Sequence, residues 1–381
     1  KMPKYKIAWM PGDGVGNDVM DAAKIVLDAM EFDAEYVPAD IGWEFWCTEG
    51  DPLPQRTIDI LKETDCALFG AITSKPSGEA HEELAPELKD KDLVYFSPIV
   101  KLRQLFNLHT NLRPCKAYPG NPLNYRDDID LVVFRENTEG MYGGVEFFPL
   151  PESVYDALCA NPKMKKWKEV GLENVALSTR IMSKGGCNSI CTQAFDYAKT
   201  HGRKSVTLLE KPNVLRETGG LMTRIFRDVA KNYEGIEAWE ANIDAIMMWL
   251  VKNPQDYDVL VAENMFGDIS SDLAAGLVGG LGFASAANIG DNYAVFEPTH
   301  GSAPKYAGKH VVNPIAMLLT VKLMFDWLGE DEHAKNLETA VAEVIAEGKV
   351  GTYDVKGREN GDSTLEVAEE VARKVKAFAI A

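Results

Sequence analysis

Two aspartates, Asp268 and Asp272, stand four residues apart in the run Gly267-Asp268-Ile269-Ser270-Ser271-Asp272. At the start of a predicted helix, Ile269–Gly279, that spacing puts both carboxylates on one face, where like charges repel. A solvated polar face, with Asp268 near the helix N-cap, would accommodate them. Their apolar or small neighbours Met265, Phe266, Leu273, Ala274 and Ala275 favour instead a hard cation, Mg²⁺ or Mn²⁺, held by carboxylate oxygens. Asp244 opens an otherwise apolar helix (Ile243, Ile246, Met247, Leu250) and is the candidate third ligand.

Three arginines lie near strand or helix ends: Arg103 after Leu102, Arg113 in Asn111-Leu112-Arg113-Pro114, and Arg135 in the run RENTEG at 135–140. The guanidinium fork matches a carboxylate with two parallel hydrogen bonds. A single arginine is more often a surface ion-pair partner. Three converging ones would let an anion bind a chain whose formal net charge is −18. The same acidity excludes nucleic acid and anionic lipid as natural partners. Lys211 closes the strand-like Ser205–Leu209 run and precedes Pro212-Asn213. Beside a metal and arginines its pKa would fall, making it a general base. Tyr142 is a candidate proton donor, against the plainer role of a half-buried tyrosine bonded to backbone.

A glycine-rich turn, Pro11-Gly12-Asp13-Gly14-Val15-Gly16-Asn17, follows the first predicted strand. Its spacing is G-x-G-x-G, not the G-x-G-x-x-G of a Rossmann phosphate loop, and the acidic residue due further on is only Asp33 in a loose Glu31-Phe32-Asp33 run. A tight strand-to-helix turn needing positive φ explains the glycines equally well.

The elements that must carry these residues alternate, as in an α/β sheet protein. Predicted strands are Tyr5–Met10, Ala67–Gly70, Leu131–Phe134, Val175–Ile181, Ser205–Leu209 and Val259–Ala262. Predicted helices include Asp18–Met30, Thr57–Glu63, Cys187–Thr200, Gly220–Tyr233, Ile243–Val251, Pro314–Leu328, Asp331–Glu347 and Ser363–Phe378. The polar, charged segment Lys75 to Asp92 is expected to be a mobile surface loop. A chain of 381 residues suggests two domains, at roughly 100–200 residues each. No signal peptide is evident, and no apolar run approaches the about 18 residues of a membrane span. The six cysteines are dispersed without C-x-x-C spacing and are expected to be reduced thiols of a cytoplasmic protein.

Together these residues resemble the β-decarboxylating dehydrogenase family, which includes isocitrate, homoisocitrate, 3-isopropylmalate and D-malate/tartrate dehydrogenases. The most specific stretches are RENTEG at 135–140, ENMFGDISSD at 263–272 and EPTHGSAPKYAGKHVVNP at 297–314. The resemblance implies an α/β, isocitrate/isopropylmalate dehydrogenase-like two-domain fold, not a Rossmann fold. Residues 1–107 plus 279–381 would form the large cofactor-binding domain. Residues 108–278 would form an inserted smaller domain carrying the dimer interface and the metal ligands. Arg103, Arg113 and Arg135 then correspond to substrate-carboxylate ligands, with Ser97 and Asn213 also on the substrate. Tyr142 and Lys211 correspond to the catalytic pair, and Asp244, Asp268 and Asp272 to the metal ligands. Lys211 and Asp244 would reach across a homodimer into the neighbouring site. The cofactor would lie along His300, Gly301, Ser302, Ala303, Lys305 and Tyr306, with Asn313 near the adenine and Tyr353 close by.

Ser97 matches a serine that isocitrate enzymes set on the substrate's third carboxylate. Those enzymes commonly place an asparagine where this chain has Ile99, which admits homoisocitrate, alkylmalates and malate as alternatives. Lys305-Tyr306, where NAD-preferring members have Asp-Ile, implies NADP over NAD. Gly357 occupies a position where NADP enzymes often carry arginine, with Arg358 displaced by one. Non-catalytic regulatory subunits of the family lose the lysine, the tyrosine or a metal aspartate, and this chain keeps all of them.

Overall fold

The computed structural model describes residues 1–380. Twelve strands are present: β1 (Tyr5–Gly12), β2 (Ala34–Pro38), β3 (Cys66–Ala71), β4 (Thr110–Lys116), β5 (Asp130–Glu136), β6 (Glu146–Phe147), β7 (Leu177–Ser178), β8 (Ser205–Glu210), β9 (Glu237–Asn242), β10 (Val259–Ala262), β11 (Ser285–Ile289) and β12 (Ala294–Pro298). Ten of them form one sheet in the order β2-β1-β3-β12-β11-β4-β5-β10-β8-β9, and β6 pairs with β7 alone. The first five strands in that order come from residues before 108 or after 278, and the second five from the stretch between. The outer strands run parallel on each side, while β11 and β4 are antiparallel to each other and to their outer neighbours.

β3, β8, β10 and β12 are buried throughout. Their near-continuous apolar runs are what a sheet covered on both faces requires. Alternation along each strand sends successive side chains to opposite faces. Val132 and Phe134 pack with Phe195 and Phe226 of the helices Lys184–Thr200 and Thr218–Ala230. Leu131 and Val133 pack the other way, with Ile246 and Leu250 of Ile243–Lys252 and with Ala274 and Leu277 of Asn264–Leu277. In the other half, Ile7, Leu68 and Phe296 face the helices Val15–Ala29, Ile315–Leu328, Asp331–Glu347 and Thr364–Ile380. Met10, Phe69 and Val295 face Leu61, Ile99 and Leu102.

Several expectations change. The segment from Lys75 to Asp92 is not a free loop. It contains a helix, Ser77–Glu82, and buries Ala80, Leu84 and Leu88 against Trp46, whose indole N–H donates to the Ala80 carbonyl at 2.8 Å. The predicted strand Val175–Ile181 shrinks to Leu177–Ser178. The helix carrying Asp268 starts at Asn264, earlier than the sequence suggests, because the Glu263 carboxylate caps it by accepting from the Phe266 N–H at 2.7 Å. Asp268 is therefore inside the helix, not near its cap.

The glycine turn is structural. Gly12 and Gly14 have φ of +72° and +54°, and a Cβ on Gly12 would lie 2.0 Å from the Ala71 carbonyl oxygen. The Val15 N–H at the following helix's start donates to the Ser302 carbonyl at 2.8 Å, so that amide already has a protein partner. All six cysteines are free thiols. Among the described residues no helix is long and apolar enough to cross a membrane.

Candidate active site

β11, β4 and β5 are consecutive in the sheet, with Asn288 opposite Asn111 and Asn111 opposite Arg135. Opposed residues share a face, and Arg113, two residues beyond Asn111, joins them. The helix Asn264–Leu277 packs over this face, with so little room at Gly267 that a Cβ would stand 2.7 Å from the Arg135 side chain. That contact brings Asp268 onto the arginines. Asp268 Oδ1 accepts from Nη1 of Arg113 and Nη1 of Arg135, each at 3.0 Å, and Oδ2 accepts from the Tyr142 hydroxyl at 2.6 Å. Asp272 lies 3.9 Å from Arg113, whose Nη1 also donates to Ser271 at 2.7 Å. Arg103 enters from the helix Pro98–Leu105, with Glu297 at 3.5 Å. Ser97, partly exposed, is that helix's N-cap residue. Ile99 is buried beside Leu102.

Burial raises the Asp268 carboxyl, but Arg135 and Arg113 pull harder, and the net shift is downward. Asp272 moves the other way: burial raises it, helped by Asp268, and Arg113 offsets only part. Burial and the charges of Arg113 and Arg103 press Arg135 down to about 9, so it stays charged at neutral pH. Burial, then the bond to Asp268, raises the Tyr142 hydroxyl and keeps its proton on. The Tyr142 ring also covers the Arg135 guanidinium at 4.9 Å.

Lys211 and Asp244 form a separate pair at 2.6 Å, at the end of β8 and the start of Ile243–Lys252. Among the described residues no hydrogen bond or ion pair links them to the arginines, and no three acidic, histidine or cysteine residues of one chain are grouped to hold a metal. One chain thus holds Asp268 and Asp272 in one place and Asp244 in another. Asn213 is exposed near Lys211.

A cleft of about 450 Å³ is lined by His300, Gly301, Ala303, Asn313 and Tyr353, together with Val15 and Asp354. Ser302 is buried behind it, its hydroxyl 2.6 Å from that of Thr73. Lys305 is exposed with its ammonium over the Tyr306 ring, and Tyr306 lies 6.2 Å from Tyr353. The Asn313 side chain is already committed, donating to Asp354 at 3.0 Å and accepting from the Ile315 N–H at 2.9 Å. A larger groove of about 820 Å³ lies elsewhere, lined by Lys116, Lys322 and Glu338, and includes none of these residues. Its lysines and acids pair with one another, so size alone does not mark a site.

Sequence reasoning missed Ser271, Glu297 and the asparagines Asn111, Asn264 and Asn288. Asn111 lies at strand spacing from Arg113 and Asn264 one helical turn before Asp268, which is the only signal they give.

The sheet thus sets three buried arginines near one another with the ionised Asp268 on two of them, a charge pattern suited to small anions. The chain belongs to the isocitrate/isopropylmalate dehydrogenase family, whose profile matches residues 6–371. Members of that family are decarboxylating dehydrogenases that use NAD(P) and a divalent metal. Among relatives, protein DlpA of Legionella pneumophila is 41% identical over 92% of this chain, which spans only 56% of DlpA. The 3-isopropylmalate dehydrogenase of Methanothermobacter thermautotrophicus is 39% identical over 98% of this chain and 99% of its own length. The solved isocitrate dehydrogenase of Methylococcus capsulatus superposes with a TM-score of 0.85 at 36% identity, covering 98% of this chain and 99% of that one.

Proposed function

We propose that the protein oxidises and decarboxylates isocitrate to 2-oxoglutarate while reducing NADP, or NAD as the lesser alternative. The observation that carries this is the meeting of Arg113, Arg135, Tyr142 and Asp268 on one face of the sheet. The arginines bind the substrate's carboxylates and set its orientation. Lys211 of a second copy takes the proton from the 2-hydroxyl as hydride leaves C2 for the nicotinamide. The resulting 2-oxo acid loses its β-carboxylate as CO₂, and Tyr142 returns a proton to the carbon left behind. Asp268 and Asp272, one a depressed carboxyl and the other an exposed one, both with hard oxygen donors, suit Mg²⁺ or Mn²⁺. Such an ion, when bound, polarises the hydroxyl and carboxylate oxygens as a Lewis acid.

Lys211 and Asp244 lie apart from the arginine cluster of their own chain, which supports their completing a partner's site in a homodimer. Exposed Met248, Trp249 and Val251 on Ile243–Lys252, with Ile269 on Asn264–Leu277, offer apolar surface for the second copy. The strand order supports division into an outer domain, 1–107 plus 279–381, and an inner one, 108–278. Ser97 and the RENTEG run favour isocitrate. The relative named 3-isopropylmalate dehydrogenase supports that acid as an alternative, beside homoisocitrate and D-malate or tartrate, which Ile99 admits. The deciding experiment is a substrate panel on the purified chain with Mg²⁺ and each cofactor. Turnover of isocitrate well above the others is expected, and preference for another 2-hydroxy acid would replace it.

A further inference from the structure

Three asparagines hold the three arginines at Nε. Arg103 Nε donates to Asn288 Oδ1 at 2.9 Å and Arg113 Nε to Asn111 Oδ1 at 3.0 Å, while Arg135 Nε donates to Asn264 Oδ1 at 2.9 Å and also to the Asn264 main-chain carbonyl at 3.0 Å. All three asparagines are at most 1% exposed. Their amide nitrogens are also committed. Asn288 Nδ2 donates to the Val295 carbonyl at 3.1 Å, and Asn264 Nδ2 to the Glu139 carbonyl at 3.0 Å. Asn111 Nδ2 donates to Asn137 Oδ1 and Asn288 Oδ1 at 3.3 and 3.2 Å. The amide orientation follows from these partners, since flipping one would set an NH₂ donor against a guanidinium N–H. The geometry has two effects. A guanidinium gripped at Nε cannot rotate about its stem, so its outer nitrogens keep one direction. Arg103 Nη1, Arg113 Nη2 and Arg135 Nη2 have no hydrogen-bond partner among the described residues. Second, the acceptor is neutral. A carboxylate in its place would grip as well but cancel the charge that an anion needs.

We propose that Asn111, Asn264 and Asn288 are positioning residues of the anion seat, fixing the direction of the three guanidinium groups without adding negative charge beside them. This rests on Arg103, Arg113 and Arg135 being the substrate-carboxylate ligands. The test is a double-mutant cycle on the intact protein, Asn111→Ala with and without Arg113→Lys, because lysine has no donor at the Nε position, and because the Asn111 side chain, unlike that of Asn264, shares its arginine's Nε with no main-chain acceptor. Two quantities are measured: KM and kcat for whichever 2-hydroxy acid turns over, and the Kd of inorganic sulfate by calorimetry. In the parent, Asn111→Ala should raise KM and the sulfate Kd about tenfold, with kcat falling less than about threefold. In the Arg113→Lys background the same change should move both by less than about twofold. A merely structural asparagine would give equal penalties in both backgrounds, and that result overturns the proposal, as does a parent that binds no sulfate. If Asn111→Ala does not fold, Asn111→Ser serves in the same cycle. Absence of turnover with every 2-hydroxy acid, beside the predicted sulfate pattern, would remove the proposed reaction and leave the positioning role standing.

Discussion

Asp268 answers to two masters. Asp268 bridges Arg113, Arg135 and Tyr142, and its low pKa comes from the arginines outweighing its burial. Asp268→Asn keeps the shape and loses the charge. It is expected to weaken Mg²⁺ or Mn²⁺ affinity by more than the ~10–100-fold that loss of a ligand's supporting partner costs. The melting temperature should fall, because buried Arg113 and Arg135 lose their shared counter-charge, and exhaustive chelation should abolish turnover. Full activity after chelation would show that no metal is needed. On the loop that follows His300, Lys305 is solvent-exposed over Tyr306, where a 2′-phosphate would meet a cation in an otherwise negative field. Replacing Lys305-Tyr306 by Asp-Ile should cost about ten- to hundred-fold in kcat/KM for NADP and spare NAD. A parent enzyme that already prefers NAD strongly would contradict this and point to Gly357 as the better guide.

Elements decide which of these residues can meet. The end of β8 and the start of Ile243–Lys252 hold Lys211 and Asp244 together but away from the arginines. Mixing Lys211→Ala subunits with Tyr142→Phe subunits should therefore restore part of the activity, since one site of a mixed dimer carries both lesions and the other neither. No recovery after verified subunit exchange would mean that each site is built from one chain. The charged groups were legible in the sequence because Asp268, Asp272 and Asp244 interrupt apolar helices and Lys211 ends an apolar strand. The asparagines that orient the arginines were not, because a neutral amide leaves no mark in composition or periodicity. Strands showed the same divide. β8 and β10 are plain apolar runs, whereas β4 contains Pro114 and Arg113, β9 is a polar edge, and β11 is built from small residues. The helix within 75–92 was hidden because Trp46, far back in the chain, supplies its packing. Trp46→Ala should cost about 3–5 kcal/mol and expose this segment to proteolysis. Unchanged resistance to protease would show that the segment holds itself in place.

Across the whole molecule, the two halves of the sheet are tied at their back by Glu338, which accepts from Lys116 at the end of β4 at 3.1 Å and lies 3.1 Å from Lys322. Burial raises this carboxyl, but Lys322 and Lys116 outweigh it and hold it below the usual range. Its folded pKa is thus lower than its unfolded one, so the stabilisation is complete above about pH 4.3 and is lost as pH falls through the folded value. Glu338→Gln should lower stability by about 1 kcal/mol or less at neutral pH, given its partial exposure, and by nothing at strongly acidic pH. Melting curves at both pH values will decide, and a gap that persists in acid would mean that the tie is not ionic. Two points far apart in the chain also stand side by side: Asn124 bridges Val278, and the Tyr125 N–H donates to the Leu277 carbonyl at 2.9 Å. A detour whose two feet stand side by side adds only a logarithmic closure cost however long it grows. Surface loops between Tyr125 and Leu277 can therefore be lengthened, and new chain ends opened in them, at little closure cost, while the strand order β2-β1-β3-β12-β11 stays as it is.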